Sequence, residues 1–254
     1  NQTRSDLEPV KHVQEMQIID GKDYEKIKEA VFKYGGVQTS IYNALRSSQT
    51  YSPYFDKKTN YSNYEIIVVD NASADESVSY LKNLDLPIRI IENEENVSFS
   101  KGNNDAAKIA NGEYILLLNN DIEVTENFIE EMLSAIKRHP KAFSCAARMI
   151  QFHDRDRLDD AGNYYCALGW AYARGKGKDI HTYEKEEKIF ASCAGAAIYR
   201  KKIFDELGYF DEEHFAYLED MDVGYRARIY GYENWYAPDA MVYHVGSGTS
   251  GSRY

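Results

Sequence analysis

From residue 63 onward, short runs of aliphatic and β-branched residues alternate with polar loops and amphipathic segments. The runs at 65–69, 88–91 and 113–118 are nearly continuous in apolar character, which is typical of strands buried on both faces of a sheet. Residues 126–138 carry apolar side chains at helical spacing and predict a helix that packs one face against that sheet. The pattern indicates an α/β layered domain.

Beyond residue 140 the pattern changes, because the apolar runs are separated by polar loops rich in glycine and lysine. Further strands, more antiparallel in character, are predicted at 143–150, 162–173, 189–199 and 240–244. Two helices are predicted at 201–207 and 219–230, because Gly208 and Gly231 follow them where a left-handed cap is favoured. We expect a mixed, mainly parallel central sheet flanked by helices.

The first sixty residues follow a less regular pattern. Residues 24–34 predict an amphipathic helix, and a strand at 37–41 is followed by Tyr42-Asn43. We therefore predict an N-terminal extension over 1–36 and one domain over 37–254. Because the chain begins without methionine and stops in a Gly/Ser-rich stretch, we expect a fragment that is truncated at its C-terminal end.

Composition limits the partners and the compartment. The chain has 41 acidic and 30 basic side chains and a net charge of −11, which argues against a nucleic-acid partner. No apolar run approaches the roughly 20 residues that a membrane helix needs. Three widely spaced cysteines favour a reducing compartment. The predicted location is cytoplasmic, either free or peripheral at the inner face of the membrane.

Several acidic side chains follow predicted strands or open a predicted helix. Asp70 and Asp121 come after the runs 65–69 and 113–118, and ligands of open sheets bind at the carboxyl ends of strands. Asp220 stands at the start of a predicted helix, where a carboxylate could take a proton from a substrate. Each residue has a purely structural alternative: Asp70 a loop cap, Asp121 a turn, and Asp220 an acid favoured by the helix dipole.

Three stretches carry a resemblance to a known family: EIIVVDNASADES (65–77), NVSFSKGNNDAAKIANGEYILLLNNDIEV (96–124) and CAGAAIYRKKIFDELGYFDEEHFAYLEDMDVGYRARIYGY (193–232). Over roughly residues 63–248 the chain resembles the family 2 glycosyltransferases, especially the rhamnosyltransferase-like branch. The resemblance implies a GT-A fold. It also implies an inverting transfer of a sugar from a nucleotide-diphosphate donor to a hydroxyl acceptor, as in surface polysaccharide synthesis.

The resemblance also assigns candidate site residues. Those expected to contact the nucleotide-sugar are Tyr42, Asn43, Asp70, Asn96, Lys101, Asn104, Asn120 and Gly195. Asn119-Asn120-Asp121 stands where the family has its Asp-any-Asp motif, so Asp121 and His244 are expected to bind Mn²⁺ or Mg²⁺. Asp220 is expected to be the general base, and Glu219 to position the acceptor. Ser98 replaces the glycine that the family often has before Phe99.

The expected partners are a UDP- or dTDP-linked sugar donor and a saccharide or lipid-linked acceptor. An alternative function is a degenerate, non-catalytic nucleotide- or carbohydrate-binding module on the same scaffold. A dinucleotide-dependent oxidoreductase is disfavoured, because no Gly-x-Gly-x-x-Gly follows a predicted strand. Residues 17–42 also resemble the middle of a papain-like cysteine peptidase domain, but no matching catalytic cysteine or histidine accompanies them, so peptidase activity is not predicted.

Overall fold

The computed structural model describes residues 40–44, 61–75, 77–84 and 87–245. The strands are β1 Ser40–Ala44, β2 Glu65–Asn71, β3 Ile88–Asn93, β4 Tyr114–Asn119, β5 Ile122–Val124, β6 Ala142–Gln151, β7 Leu158–Asp160, β8 Asn163–Tyr165, β9 Ala171–Ala173, β10 Glu187–Ile189, β11 Ala196–Arg200 and β12 Glu233–His244. The helices are α1 Ser77–Lys82, α2 Phe99–Ile109, α3 Phe128–Arg138, α4 Lys201–Leu207 and α5 Glu219–Ile229. None of the helices in these described ranges is both long and apolar enough to cross a membrane.

The central sheet is mixed, as predicted, with the strand order β10-β12-β6-β11-β4-β1-β2-β3. Strands β2, β3, β4, β6 and β12 run in one direction, whereas β1, β11 and β10 run in the other. Because β1 and β11 lie between strands of the other direction, and β10 pairs with β12 at one end of the order, β2–β3 and β6–β12 are the parallel ladders of this sheet among the described strands. Most strands of this order therefore run in one direction, as expected, but most neighbouring strands pair antiparallel.

Strand β1 overlaps its prediction at residues 40 and 41, since residues 37–39 lie outside the described residues. The described strand spans Ser40–Ala44, and it pairs antiparallel with both β2 and β4. Ser40 lies opposite Val69 and Asn119, at the edge where β2 and β4 end, and Tyr42 lies opposite Ile67 and Leu117. Tyr42-Asn43 therefore lie within the strand, although they were predicted to follow it. The helix predicted at 24–34 lies outside the described residues.

Helices cover both faces of the sheet, since successive residues of each central strand point to opposite sides. Leu116 and Ile198 pack on one face with Met132 of α3. On the other face, Leu117 packs with residues of α2 and α4, including Phe204. Each of these side chains is almost fully buried, which stabilises the fold by about 1.5–3 kcal/mol per large apolar side chain. The sheet is thus a rigid platform for the loops at its edge.

Two stretches that were predicted as single strands are divided. Residues 162–173 form the hairpin of β8 and β9, since Cys166 to Trp170 make a turn in which the Gly169 N–H donates to the Cys166 carbonyl. The stretch 189–199 is divided between β10 and β11. The intervening residues 190–195 cross the sheet edge close to the ends of β4 and β8. Both divisions place loop residues beside the acidic side chains described next.

Candidate active site

Asp121 and His244 meet at the ends of two strands. Asp121 lies in the turn between β4 and β5, and His244 ends β12. Strand β5 pairs with β12 so that His244 faces Ile122, and the Val245 N–H donates to the Asp121 carbonyl at 3.0 Å. The His244 Nε2 lies 3.3 Å from Asp121 Oδ2. The two residues expected to bind a metal are therefore neighbours.

Asp159, which no sequence motif singled out, holds the other side of the imidazole. Its Oδ2 lies 2.7 Å from His244 Nδ1, and its Oδ1 lies 3.2 Å from the Lys176 Nζ. Burial lowers the pKa of His244, but the hydrogen bonds and charges of Asp121 and Asp159 outweigh it and raise the pKa to about 9. The imidazole thus bridges two carboxylates.

The donor set of this pair fits a divalent cation that displaces the proton between His244 Nε2 and Asp121. Asp121 Oδ1 is buried and has no hydrogen-bond partner among the described residues. A carboxylate on the far nitrogen of a histidine is the usual outer partner of a metal-binding imidazole. Within the described ranges no three His, Cys, Asp or Glu side chains form a complete metal site. Asp121 and His244 would therefore share the ion with substrate phosphate oxygens and water, as Mg²⁺ sites commonly do.

Glu219 and Asp220 open helix α5, and the two residues before them, Tyr217 and Leu218, have φ values of 72° and 71°. Such left-handed conformations are costly for side chains larger than glycine, and they cluster at functional sites. Glu219 is 6% exposed, and its Oε2 has no hydrogen-bond partner among the described residues. Burial and then the charge of Asp220 raise the pKa of Glu219 to about 8.

The Asp220 carboxylate is held by three donors. Its Oδ2 accepts from the Ala194 N–H at 3.2 Å and from the Asn163 Nδ2 at 3.3 Å, and its Oδ1 accepts from the Met221 N–H at 2.7 Å. Burial raises the pKa of Asp220 to about 6, while the backbone N–H groups oppose that rise. A carboxylate with a pKa near the working pH is suited to general base catalysis.

A short segment links the two acidic centres. Ala194 binds Asp220, and the next residue, Gly195, accepts from the Asn119 N–H at 2.9 Å, two positions before Asp121. A second, electrostatic link runs through the buried Asp160, which follows Asp159 and whose pKa is raised by the charge of Asp220. Burial raises the pKa of Asp160 to about 7. The hydrogen bond from the Gly162 N–H opposes this rise, and the charge of Asp220 adds to it. Asp121, His244, Gly195, Glu219 and Asp220 therefore belong to one cluster, with Asn120 beside it.

The residues expected to bind the nucleotide lie on or near the edge but are engaged in local bonds. Asp70 is the last residue but one of β2, on the same edge where β4 ends, and its Oδ2 accepts from the Ser73 N–H at 3.1 Å. Asn96 Oδ1 accepts from the Ser98 N–H, and Lys101 Nζ lies 2.7 Å from Asp105 Oδ2. The structure does not bring these side chains into contact with the acidic cluster.

Two groups of the predicted nucleotide contacts need correction. The Asn104 Nδ2 donates to the Phe210 carbonyl at 2.9 Å and to Glu212 Oε1 at 3.0 Å, and so has no hydrogen left for a nucleotide. Asn104 instead ties α2 to the loop after α4. Tyr42 and Asn43 lie along β1, two and three residues from Ser40 at the edge, or about 7–10 Å at strand rise. Their backbone is therefore set back from the edge.

The backbone conformation of Ser98 explains why the family often has glycine at this position. It has φ 90° and ψ 165°, a region that is nearly specific to glycine. Its hydroxyl accepts from the Lys101 N–H, its N–H donates to Asn96, and its carbonyl accepts from the Asn71 amide. These three bonds hold a strained backbone at the start of α2.

Sequence reasoning missed four residues of the cluster: Asp159, Asp160, Asn163 and Lys176. They fall in the segment 151–190, which the motifs of the family do not cover. The available signal was an Asp-Asp pair followed by glycine at 159–162, in a stretch predicted to be loop. Their roles depend on contacts between residues far apart in the chain.

Comparison with known proteins adds three findings. The family model described as Glycosyl transferase family 2 matches residues 38–208, more than half of the chain. The "Uncharacterized glycosyltransferase YwdF" of Bacillus subtilis is 30% identical over 160 residues, which are 61% of this chain and 54% of the relative. The "N-acetylglucosaminyl-diphospho-decaprenol L-rhamnosyltransferase" of Mycobacterium tuberculosis is 25% identical over 144 residues, 52% of this chain and 47% of the relative. The chain thus spans about half the length of these relatives.

A solved structure shows the fold. The crystal structure of GalNAc-T7 with UDP, GalNAc and Mn²⁺ matches with a TM-score of 0.59 at 16% identity, over 71% of this chain and 37% of the other. This likeness confirms the predicted GT-A fold. None of these matches addresses the papain-like resemblance of 17–42, which stays a prediction.

Proposed function

The chain belongs to glycosyl transferase family 2, and from that premise we propose that it is a metal-dependent, inverting glycosyltransferase. Its donor would be a UDP- or dTDP-linked sugar, and its acceptor a hydroxyl group of a saccharide or a lipid-linked saccharide. The named relative from Mycobacterium tuberculosis, a rhamnosyltransferase by its name, supports a hexosyltransferase of surface glycan synthesis. We propose a cytoplasmic site of action, in keeping with the three free cysteines.

One observation carries this proposal: the Asp121–His244 pair and the Asp220 carboxylate are joined through the segment 193–195. Inversion at a sugar carbon needs the attacking oxygen and the departing phosphate on opposite sides of that carbon. The Cys193–Gly195 turn between the two centres would then line the donor sugar. The proposed order is leaving group at Asp121, sugar at Gly195, and acceptor at Asp220.

Asp220 would take the proton of the acceptor hydroxyl as the oxygen attacks the sugar carbon. The bond between that carbon and the donor diphosphate breaks as the new glycosidic bond forms, so one proton passes to the carboxylate for each sugar transferred. Glu219, buried beside Asp220 with an unpartnered Oε2, would accept a hydrogen bond from a second acceptor hydroxyl. This bond would orient the attacking oxygen.

Asp121 and His244 would hold the divalent cation. Asp159 would hold the imidazole in place through Nδ1 and offset positive charge on the ring. A bound Mn²⁺ or Mg²⁺ would supply positive charge next to the departing diphosphate. Such a supply suits a protein with a net charge of −11, which has few spare cations of its own. Lys176, 3.2 Å from Asp159 and mostly exposed, adds one positive charge at the rim.

Aromatic rings beside the proposed base support a saccharide acceptor. Tyr165 stacks on Phe190, which stacks on Tyr225, with ring centroids 5.5 and 5.8 Å apart. Tyr165 and Tyr225 are 51% and 53% exposed. Tyr165 is two residues from Asn163, which contacts Asp220. Exposed rings of this kind present an apolar face together with a polar edge, and both suit a sugar ring.

Calorimetric titration of UDP and of dTDP, each with and without Mn²⁺, tests the donor half of the proposal. We expect one nucleotide to bind at least about tenfold more tightly with Mn²⁺, because the cation neutralises the diphosphate. Asp121→Asn should remove that gain, whereas Asp205→Asn, at a surface pair with Lys201, should keep it. Failure of both nucleotides to bind under either condition would contradict the proposal.

A second candidate function, a non-catalytic nucleotide- or carbohydrate-binding module, is favoured by one observation. Strand β1 runs antiparallel to its neighbours, which sets the Tyr42-Asn43 backbone back from the nucleotide edge. Measurement of nucleotide release from UDP- and dTDP-sugars separates the two functions. Turnover that is lost in Asp220→Asn supports the enzyme, while nucleotide binding without any turnover in the unaltered chain supports the module.

A further inference from the structure

Asn163 is the side chain that donates to the Asp220 carboxylate, with Nδ2 3.3 Å from Oδ2. The same oxygen also accepts from the Ala194 N–H, while Oδ1 accepts from the Met221 N–H. A carboxylate has about four lone-pair sites, two on each oxygen. The two sites of Oδ2 are therefore filled by Ala194 and Asn163, whereas Oδ1 accepts from one other residue, Met221.

The backbone of Asn163 is fixed from two sides. Its N–H donates to the Ala191 carbonyl at 3.0 Å, and its own carbonyl accepts from the N–H groups of Phe190 and Ala191. On its other edge it pairs with Ala173 of β9. The side chain therefore projects from a backbone with little freedom to move, which is the condition for holding another group in place.

Gly162 makes this placement possible. It has φ +103°, and a Cβ at this position would lie 2.5 Å from the Cγ2 of Ile189. Its N–H donates to the buried Asp160 Oδ1 at 2.6 Å, and the neighbouring Ala161 carbonyl accepts from the Arg174 guanidinium. The turn that leads into Asn163 is thus held by a steric requirement for glycine and by two buried polar contacts.

We infer that Asn163 is a positioning residue for the reaction: it occupies Oδ2 of Asp220, so that Oδ1 is the oxygen that receives the acceptor proton. This inference rests on the proposed role of Asp220 as general base. Asn163 does not touch the substrate in this scheme and acts only through Asp220. A donor on the carboxylate also favours its ionised form.

The buried surroundings make that donor matter. Burial disfavours the ionised Asp220 carboxylate, and once it has formed, its charge raises the pKa of Glu219, Asp160 and the Cys193 thiol. The N–H groups of Ala194 and Met221 and the amide of Asn163 donate to this buried charge. Loss of the amide should therefore move the titration of Asp220 to higher pH.

The test compares Asn163→Ala and Asn163→Asp with the unaltered chain, by the pH profile of sugar transfer and by ¹³C NMR titration of the Asp220 carboxyl group. In Asn163→Ala we expect kcat to fall about 10–100-fold, as for loss of a hydrogen bond to a charged group, and the acidic limb to move to higher pH. The KM for the donor should stay nearly constant. Asn163→Asp keeps the shape but replaces the donor by a like charge, so its loss and its shift should both be larger.

Tyr172→Ala is the matched control, because Tyr172 lies in the same hairpin on β9 and is 53% exposed. Its pH profile should match that of the unaltered chain. The inference is overturned if the Asp220 titration is the same in all three chains, or if Asn163→Asp is as active as the unaltered chain. The two failures are distinguishable: an unaltered chain without turnover would refute the proposed function and this inference with it, whereas an active unaltered chain whose Asp220 titration is unmoved in both variants would refute this inference alone.

Discussion

The two ends of the candidate site differ in how their polar groups are satisfied. At the nucleotide end, Asn93 donates to Asn71, Asn71 donates to the Ser98 carbonyl, and Lys101 pairs with Asp105. At the acidic end, two carboxylate oxygens, Asp121 Oδ1 and Glu219 Oε2, are buried without a partner among the described residues, whereas the orphan oxygen at the nucleotide end belongs to a neutral amide, that of Asn103. Buried polar atoms are nearly always paired in native proteins, so an orphan needs a reason.

The difference indicates where ligand and proton chemistry is concentrated. Asp160, Glu219 and Asp220 all have a raised pKa, chiefly because each is buried, and the charge of Asp220 adds to the rise in the other two. Such crowding costs folding free energy and is usually found where a cation or a proton completes the site. The nucleotide end is a prebuilt framework, whereas the acidic end is built to receive something.

The largest expected effect is at the proposed base. Asp220→Asn keeps the shape but removes the proton acceptor, so kcat for sugar transfer should fall by about 10²–10⁴-fold. Affinity for UDP with Mn²⁺ should stay the same. In the unaltered chain, kcat/KM should fall as the pH drops through about 6, because protonated Asp220 cannot accept a proton.

Asp222→Asn is the matched control for Asp220→Asn, because Asp222 lies on the same helix and pairs with Arg226. Its kcat should change by less than about threefold, as expected for a partly exposed ion pair. If Asp220→Asn retains full turnover, the acidic end is not the catalytic end.

Asp159 tests the metal side of the acidic end. Asp159→Asn weakens the hold on the His244 imidazole, and loss of such an outer partner costs about 10–100-fold in metal affinity. Titration of Mn²⁺ followed by electron paramagnetic resonance measures the loss, with Asp156→Asn, an exposed residue of the same segment, as the control. Equal Mn²⁺ affinity in both variants would show that His244 does not bind the cation.

Glu219→Gln should stabilise the protein at high pH, where the Glu219 side chain would otherwise be a buried carboxylate. The raised pKa of Glu219 means that the folded state prefers the protonated form, so its stabilising effect is lost as the pH rises from about 4.5 through about 8. At pH 8 the amide should therefore raise the free energy of unfolding by about 1–3 kcal/mol, the cost of an unsatisfied buried polar group.

Urea unfolding at pH 8 and at pH 4.5 measures this effect, which should be absent at the lower pH. Glu213→Gln, an exposed neighbour on the preceding loop, should change the stability at neither pH. An equal stability of Glu219→Gln and the unaltered chain at pH 8 would show that the Glu219 carboxylate is satisfied.

The smallest effect is expected at the nucleotide end. Ser98→Gly relieves the strain at φ 90°, worth about 1–3 kcal/mol, and loses the hydroxyl cap, worth a few tenths when glycine replaces serine. The net result should be a gain of about 1 kcal/mol in the free energy of unfolding, measured in urea. A loss of stability would show that the hydroxyl bond to Lys101 outweighs the strain.

The sequence predicted the regular elements well, because their signal is local. The runs at 65–69 and 113–118 became β2 and β4, and the residues that follow them, Asp70 and Asp121, lie at the expected edge. The direction of β1 could not be predicted, since Ser40–Ala44 carries no pattern that distinguishes parallel from antiparallel pairing. The short strands β8 and β9 were predicted as one strand, because the turn between them, Cys166 to Trp170, is itself mostly apolar in sequence.

The candidate site was predicted in part. Asp121, His244, Glu219 and Asp220 could be named because motifs mark them. Asp159 and Asn163 could not, because their role is a contact with a residue more than fifty positions away in the chain. The hydrogen bond from Asn104 to the Phe210 carbonyl could not be predicted either. An asparagine that binds a nucleotide and one that ties a helix to a loop look alike in sequence.

The most direct measurement is a crystal structure of the chain with Mn²⁺ and UDP, in which anomalous scattering at the manganese edge locates the ion. We predict that the ion lies within about 2.0–2.3 Å of an Asp121 carboxylate oxygen and of the His244 Nε2. The β-phosphate of UDP should bind the same ion, with the Asp220 carboxylate across the Cys193–Gly195 turn from it. A manganese ion bound away from Asp121, or a diphosphate on the far side of the sheet from Asp220, would contradict the account.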